Sequence, residues 1–332
     1  MRKDVLELHT NILASASVVG KKESAGPLGR LFDLKGEDDR FGAKTWEGAE
    51  SEMQHLALNT LLAKSGKKEQ EIDALFAGDL QNQCVGSAYG LLDFDLPYFG
   101  LYGACSTCAE GLLLASMALD SGCEYCAAVT SSHNCVAERQ YRSPIEYGSQ
   151  RAPTAQWTVT GAGAFLLGKG ENESVKIGRG CPGRVIEMGI RDLANMGAAM
   201  APAALDTLLR FFETTGERPE NYDRIVTGDL GFEGGSILQD LMRAEGVPLG
   251  KRYLDCGQLI YDREAQDVHA GGSGCGCSAV VLASYFLPLL KARSLRRILF
   301  LSTGAMMSPD SIKQGRAIPA IAHLLELEAP EV

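Results

Sequence analysis

Two segments of the 332-residue chain repeat the same order of residue types. The apolar run Leu112–Ser116 matches Val280–Ser284, and each follows a short stretch of Gly, Cys and Ser. Each is followed by an extended run that ends in small polar residues, Ala128–Ser132 in the first segment and Phe300–Thr303 in the second. A repeated unit of this kind predicts two similar halves that pack with their tight turns together. We expect a functional site where these turns meet.

Strand, turn, helix and strand signals alternate along the chain, and Glu47–Ser65 has apolar residues at helical spacing. This alternation builds a parallel sheet with helical crossovers, so the predicted fold class is α/β. The polar stretch Lys169–Lys176 is the most linker-like segment. It divides the chain into an N-terminal half, residues 1–172, which carries the turn at Cys105, and a C-terminal half, residues 173–332.

The composition argues against several classes of function. The net charge is −10, from 32 Lys and Arg residues against 42 Asp and Glu residues, so nucleic acid is not expected as a partner. The longest apolar stretch, Ser278–Leu290, is too short to span a bilayer and contains Pro288. The first residues lack the apolar core of a signal peptide, and we expect the chain to stay in the compartment where it is made.

We interpret the ten cysteines as reduced thiols, because the chain is large and shows no export signal. The pairs Cys105-x-x-Cys108 and Cys123-x-x-Cys126 have a spacing close to that of a zinc ribbon. The helix expected between them, Ala109–Leu119, is about 16 Å long and holds the two pairs at opposite ends. Four thiolates must lie together to bind one zinc ion, so no metal site is predicted.

Cys105 stands at the predicted start of that helix, after the extended approach Phe99–Ala104. Backbone N–H groups and the helix dipole at such a position favour a thiolate, which would make Cys105 a nucleophile or a ligand contact. A buried structural cysteine at a tight turn is the plainer alternative. The local sequence leaves both interpretations open.

Three motifs resemble those of thiolases and ketoacyl synthases. Tyr102–Gly111 is similar to the turn that carries the reactive cysteine of these enzymes, with Cys105 at the matching position. Gly161–Gly168 resembles their glycine-rich turn into a core strand, and His269–Gly276 resembles their C-terminal His/Gly-rich loop. The resemblance spans nearly the whole chain. It implies a thiolase-like duplicated layered sandwich with layers in the order α/β/α/β/α.

Two further segments, Ser131–Trp157 and Gly197–Asp206, resemble one branch, the stage V sporulation protein AD family. This resemblance implies binding of dipicolinic acid (pyridine-2,6-dicarboxylic acid) and its calcium complex, with no other cofactor. It also implies a peripheral place on the cytoplasmic side of the forespore or spore inner membrane, beside integral membrane proteins of the same sporulation transport assembly. Thiolase-like proteins commonly pair, which leaves a homodimer open.

One departure from the condensing enzymes affects the expected activity. Those enzymes carry a histidine after a strand of the second half, where this chain has Gly228–Gly231 with Asp229. His269 is then the candidate second-half histidine, and Cys105 is the candidate nucleophile. Condensation usually also needs a polar group that stabilises the enolate. We therefore predict a non-catalytic relative, and the alternative is an acyl-transfer enzyme of the thiolase or ketoacyl-synthase type that uses Cys105.

The loop between His133 and Trp157 carries groups that suit a flat aromatic dianion. Such a ligand needs cationic or N–H donors at two ends and an apolar or aromatic wall, and the loop supplies three arginines and three aromatic rings. Arginines of a long surface loop are alternatively solvated or paired with nearby acids. The predicted ligand-binding residues are Cys105, His133, Arg139, Arg142, Arg151, Trp157, Asp229 and His269.

Overall fold

The computed structural model of the chain describes residues 4–141, 151–170 and 173–331. Its strands are β1 (Leu6–Val19), β2 (Leu34–Lys35), β3 (Ala74–Gly78), β4 (Tyr98–Leu101), β5 (Tyr125–Ser132), β6 (Trp157–Thr158), β7 (Gly161–Gly168), β8 (Val175–Cys181), β9 (Arg224–Thr227), β10 (Tyr253–Asp255), β11 (Gly272–Ser273), β12 (Arg297–Ala305) and β13 (Ala320–Glu328). Its α-helices are α1 (Lys21–Ser24), α2 (Trp46–Ser65), α3 (Val85–Gly90), α4 (Thr107–Asp120), α5 (Asn134–Tyr141), α6 (Met196–Thr215), α7 (Gly231–Ala244), α8 (Cys256–Leu259), α9 (Cys275–Val281), α10 (Leu287–Lys291) and α11 (Pro309–Lys313).

Eleven strands form one mixed sheet in the order β10-β9-β12-β13-β8-β1-β7-β5-β3-β4, with β2 paired to β1. In the N-terminal half β4, β3 and β5 are parallel, and β7 and β1 follow in antiparallel pairing. In the C-terminal half β10, β9 and β12 are parallel, and β13 and β8 follow in the same way. The second half therefore repeats the strand order of the first. Antiparallel pairing of β1 with β8 joins the two.

Helices form three layers around these halves. Helix α2 packs on β1, β5 and β7 of the N-terminal half, and α6 packs on β12 and β13 of the C-terminal half. Helices α4 and α9 lie between the halves, since α4 contacts β3 and β5 on one side and β12 and β13 on the other. Each interface has its own apolar cluster, so the core is divided among the layers. The predicted α/β class and the α/β/α/β/α layering are confirmed.

Both predicted helices form, and capping residues bound the first of them. The N-cap Thr45 of α2 accepts a hydrogen bond from the Gly48 N–H at 3.0 Å, and Gly66 ends the helix in the left-handed conformation with φ 69°. Helix α4 extends the predicted segment Ala109–Leu119 by two residues at its N-terminus and by one at its C-terminus. Both helices are confirmed, with small shifts at their ends.

A fully buried carboxyl group, Glu23, links the two halves. It accepts hydrogen bonds from the Thr160 N–H at 3.0 Å and from the hydroxyl of Tyr261, while its Oε2 has no partner within the described residues. Burial raises the pKa of Glu23 to about 7, above the value of 4.5 expected for an unfolded chain. The folded protein therefore holds the protonated form preferentially.

This shift predicts a stability that depends on pH. Protonated Glu23 favours folding fully below the unfolded pKa, and this contribution is lost as the pH rises through the folded pKa, at about 7. Between about pH 5 and about pH 8 the parent should lose free energy of unfolding on the order of 2 kcal/mol through Glu23. Glu23→Gln should not show this loss, because the amide cannot ionise. Thermal melting at about pH 5 and about pH 8 measures the effect. If the melting temperatures of the parent and Glu23→Gln change equally with pH, this prediction is wrong.

Candidate functional site

Cys105 lies in a single 3-10 turn, Ala104–Ser106, between β4 and α4. Ala104 has a φ of 51°, which is uncommon for a residue with a side chain. Two hydroxyls hold the turn: Thr107 Oγ1 donates to the Ala104 carbonyl at 2.7 Å, and Ser106 Oγ donates to the Gly103 carbonyl at 2.6 Å. The turn is thus fixed by its own side chains, and it places Cys105 in the wall of a cavity.

The cavity beside Cys105 is small, about 60 Å³, and mostly apolar. Its polar groups include two tyrosines whose hydroxyls lie 2.9 Å apart, Tyr102 and Tyr141. Burial raises the pKa of Tyr102 to about 12 and that of Tyr141 still further, so both remain neutral hydroxyls. The described lining residues are Leu80, Tyr102, Ala104, Cys105, Ala137, Glu138, Tyr141, Thr158, Leu193, Met196, Ser273, Ala305 and Met307.

The thiol of Cys105 lies beside the carboxyl group of Asp229, and each group shifts the pKa of the other. Burial raises the pKa of Cys105 well above its usual value, and the charge of Asp229 raises it further. Asp229 is itself fully buried and accepts hydrogen bonds from Thr303 Oγ1 at 2.8 Å, Gly274 N at 2.9 Å and Ser273 Oγ at 3.1 Å. Cys105 is therefore held as a protonated thiol, in place of the thiolate that the helix start would favour.

A second buried aspartate, Asp255, supports the loop that carries Asp229. Its carboxylate accepts hydrogen bonds from Thr227 Oγ1 at 2.6 Å and from the N–H groups of Leu230 and Gly231 at 2.8 and 3.0 Å. Burial raises its pKa to about 7. Sequence reasoning missed Asp255, although its position at the carboxyl end of a short apolar run was a usable signal.

Two predicted ligand-binding residues lie apart from the cavity. Arg139 is half exposed and forms an ion pair with Glu47. His133 is buried, its Nε2 donates to the Asp39 carbonyl at 2.8 Å, and its ring contacts Trp46. Burial lowers the pKa of His133, which fits a neutral imidazole in a structural role. Arg142 lies outside the described residues.

Three further predicted residues form a separate group. Arg151 Nη2 lies 2.5 Å from Asp267 Oδ2, and the Arg151 guanidinium lies 5.1 Å from the centre of the Trp157 ring. His269 Nδ1 donates to the Ala152 carbonyl at 2.8 Å, and its Nε2 lies 3.1 Å from Asp267 Oδ1. None of the three lines the Cys105 cavity. The structure thus brings together Cys105 with Asp229, and Arg151 with Trp157 and His269.

Two residues that line the cavity, Tyr102 and Ser273, and one that hydrogen-bonds to Asp229, Thr303, were not predicted. Tyr102 precedes the cysteine turn, Ser273 lies in the Gly-rich loop, and Thr303 ends one of the repeated strands. Each stood inside a segment that sequence reasoning had selected. The sequence therefore identified the correct segments, and only the fold shows which of their side chains belong to the site.

Neither a metal site nor a membrane span is found in the part of the chain that the structure describes. Its histidine, cysteine, aspartate and glutamate side chains form no group of three or more that could hold a metal ion. None of its helices is long and apolar enough to cross a membrane.

Comparisons with solved structures relate the fold to condensing enzymes. OleA of Xanthomonas campestris, in a co-crystal with cerulenin, is similar with a TM-score of 0.62 and 14% identity, covering 97% of this chain and 97% of that one. The 3-oxoacyl-[acyl-carrier-protein] synthase III from Aquifex aeolicus VF5 is similar with a TM-score of 0.57 and 12% identity, covering 96% and 99%. At these identities the likeness shows the thiolase-like fold alone.

Sequence comparisons show the family. The model of the family described as stage V sporulation protein AD matches residues 2–328. Stage V sporulation protein AD of Bacillus subtilis (strain 168) is 42% identical over 311 residues, which cover 93% of this chain and 91% of the relative. The chain therefore belongs to the stage V sporulation protein AD family.

Proposed function

We propose that the chain binds dipicolinic acid, and its calcium complex, in the Cys105 cavity and takes part in moving it into the developing spore without catalysing a reaction. The cavity is small and enclosed by apolar side chains and two tyrosines, which suits a flat aromatic molecule better than a long acyl chain. Membership of a sporulation family supports a ligand that belongs to spore formation. No cofactor is part of the proposal.

The observation that carries the proposal is the position of the Cys105 thiol in the cavity wall beside the buried carboxyl group of Asp229. An acyl-transfer cysteine needs a base that takes its proton, whereas a buried carboxylate beside it raises the thiol pKa and keeps the proton on sulfur. Among the described residues that line the cavity there is no histidine. The hydroxyls of Tyr102 and Tyr141 can donate hydrogen bonds to a bound ligand, and the cavity is poorly arranged for nucleophilic attack by Cys105.

The charge of the ligand needs compensation that the described lining does not supply. None of the described lining residues is cationic, and Asp229 behind Cys105 repels an anion. We propose that the negative charge of bound dipicolinate is balanced by the calcium ion of its own complex or by Arg142, which lies outside the described residues. The two sources predict different behaviour: the first requires calcium in the titration, and the second is removed by Arg142→Ala.

Isothermal titration calorimetry with dipicolinate, in the presence and absence of calcium, tests the proposal. We expect saturable binding that weakens strongly for pyridine-2-carboxylate, because that molecule lacks one carboxylate. Absence of heat in both calcium conditions would overturn the binding function and leave a structural role.

The alternative function is acyl transfer through Cys105, as in the condensing enzymes that share the fold. We expect no steady turnover of acyl-CoA or acyl-carrier-protein donors, since the thiol is held protonated. Turnover that Cys105→Ala abolishes would support the alternative and refute the non-catalytic assignment.

We also propose a peripheral location on the cytoplasmic side of the forespore inner membrane, beside integral membrane proteins of the same assembly.

We propose a homodimer as well. Edge strand β4 and the adjoining α3 segment expose large apolar side chains, among them Phe99 at 53%, Tyr89 at 71% and Leu92 at 72%. A second copy that pairs with this edge would cover them. Sedimentation velocity of the purified chain measures the oligomeric state.

A further inference from the structure

Two cationic side chains lie against one indole ring on the side of β6 away from the cavity. Thr158 of β6 lines the Cys105 cavity, and its neighbour Trp157 does not, because successive strand residues point to opposite faces. Lys22 Nζ lies 4.1 Å from the centre of the Trp157 ring, and the Arg151 guanidinium carbon lies 5.1 Å from it. The Trp157 ring thus holds two positive charges close together in a protein of net charge −10.

The hydrogen-bonding needs of these cations are only partly met within the described residues. Arg151 is 11% exposed, and its Nη1 is buried without a partner. Lys22 Nζ donates to the Gln266 carbonyl at 2.5 Å, which is a neutral acceptor. The pKa of Lys22 is lowered first by burial and then by the charge of Arg151, although nearby carboxylates oppose the shift. Lys22 and Arg151 together therefore favour the binding of an additional anion beside them.

The carboxylate that now lies at this site belongs to Asp267, a surface residue. Its side chain is 72% exposed and contacts both Arg151 and His269. Asp267 and His269 have φ angles of 50° and 51°, in the left-handed region that residues with side chains rarely adopt. An ion pair to a carboxylate this exposed contributes little free energy, so a ligand carboxylate can take the place of Asp267.

We infer that Lys22, Arg151 and His269 form a second binding site, separate from the Cys105 cavity, for the carboxylate group of a small-molecule anion that competes with Asp267. The site recognises charge and carboxylate geometry, because Trp157 is already covered by the two cations. The inference does not depend on dipicolinate binding in the cavity. Free malonate presents the required group and is small enough to serve as the probe.

Trp157 reports on the site directly, since the chain has two tryptophans. In a Trp46→Phe background, malonate added at constant ionic strength should change the Trp157 fluorescence in a saturable way. Asp267→Asn should tighten this binding by up to about fivefold, the value of an exposed ion pair. Lys22→Gln and Arg151→Gln should each weaken it by about tenfold or more, the scale of a charge-assisted hydrogen bond.

A matched control is Asp240→Asn, which removes a similarly exposed, ion-paired carboxylate elsewhere and should leave malonate binding unchanged. Unchanged affinity in Lys22→Gln and Arg151→Gln would overturn the inference, and so would weaker binding in Asp267→Asn.

A cavity-filling variant, Ala137→Trp, separates this site from the proposed function. Malonate binding should survive in it. If malonate binding is lost together with dipicolinate binding, the two ligands share one site and the inference is wrong. If the parent protein binds malonate and not dipicolinate, the inference stands and the proposed function fails.

Discussion

Ala137→Trp should abolish dipicolinate binding, with a loss of affinity of about 100-fold or more, which corresponds to about 2.7 kcal/mol. Ala137 lies on α5 and lines the Cys105 cavity. An indole ring at position 137 projects into the cavity and occupies the volume that the ligand needs. Calorimetry on the folded variant measures the loss, and circular dichroism confirms that the fold is retained.

Arg139→Trp is the matched control for this variant. It places the same indole on the same helix, at a position that is 54% exposed and paired with Glu47. We expect parental affinity. Full binding in Ala137→Trp would place the ligand outside the cavity, with the Lys22 and Arg151 group as the next site to test. Lost binding in Arg139→Trp would show that Arg139 contacts the ligand after all.

Glu326→Ala should reduce the free energy of unfolding by about 3–5 kcal/mol, the cost of breaking a buried ion pair. Glu326 on β13 is 1% exposed and accepts hydrogen bonds from Arg179 Nε at 2.5 Å, Arg179 Nη2 at 2.9 Å and the Tyr222 hydroxyl at 2.9 Å. Arg297 also contacts it. Without this carboxylate, Glu217 is the acid that Arg179 and Arg297 still share.

Glu328→Ala is the control, because Glu328 lies two residues further along the same strand and is 33% exposed. Its ion pairs are longer, 3.5 Å to Arg297 and 3.9 Å to Lys176. We expect a loss of less than about 1 kcal/mol. Urea unfolding of the three proteins gives the comparison. Similar losses in the two variants would mean that burial does not distinguish the two carboxylates.

The layered fold could be predicted because its signals are local and occur twice. The match between Leu112–Ser116 and Val280–Ser284 became the pair of central helices, α4 and the segment that begins with α9. The predicted helix Glu47–Ser65 formed almost within its expected bounds. These patterns depend on residues close together in sequence, whose hydrophobic spacing selects a helix or strand whatever their distant partners are.

The site was predicted only in part, since side-chain partners come from distant positions in the chain. Cys105 and Asp229 were both selected, but their position beside each other depends on how the halves pack. Arg151 was placed with the ligand because of its neighbours in sequence, whereas its observed partner Asp267 is 116 residues away. Periodicity and motif spacing hold no information about such pairs.

The position of β1 has a consequence for how this architecture can be divided. Strand β1 is hydrogen-bonded to β7 of its own half and to β8 of the other. A chain cut between β7 and β8 would therefore give two fragments that each expose an unpaired strand edge, and such edges seek a partner. The fragments should reassemble when made together and aggregate when made alone. The two halves, although similar in topology, share one continuous sheet.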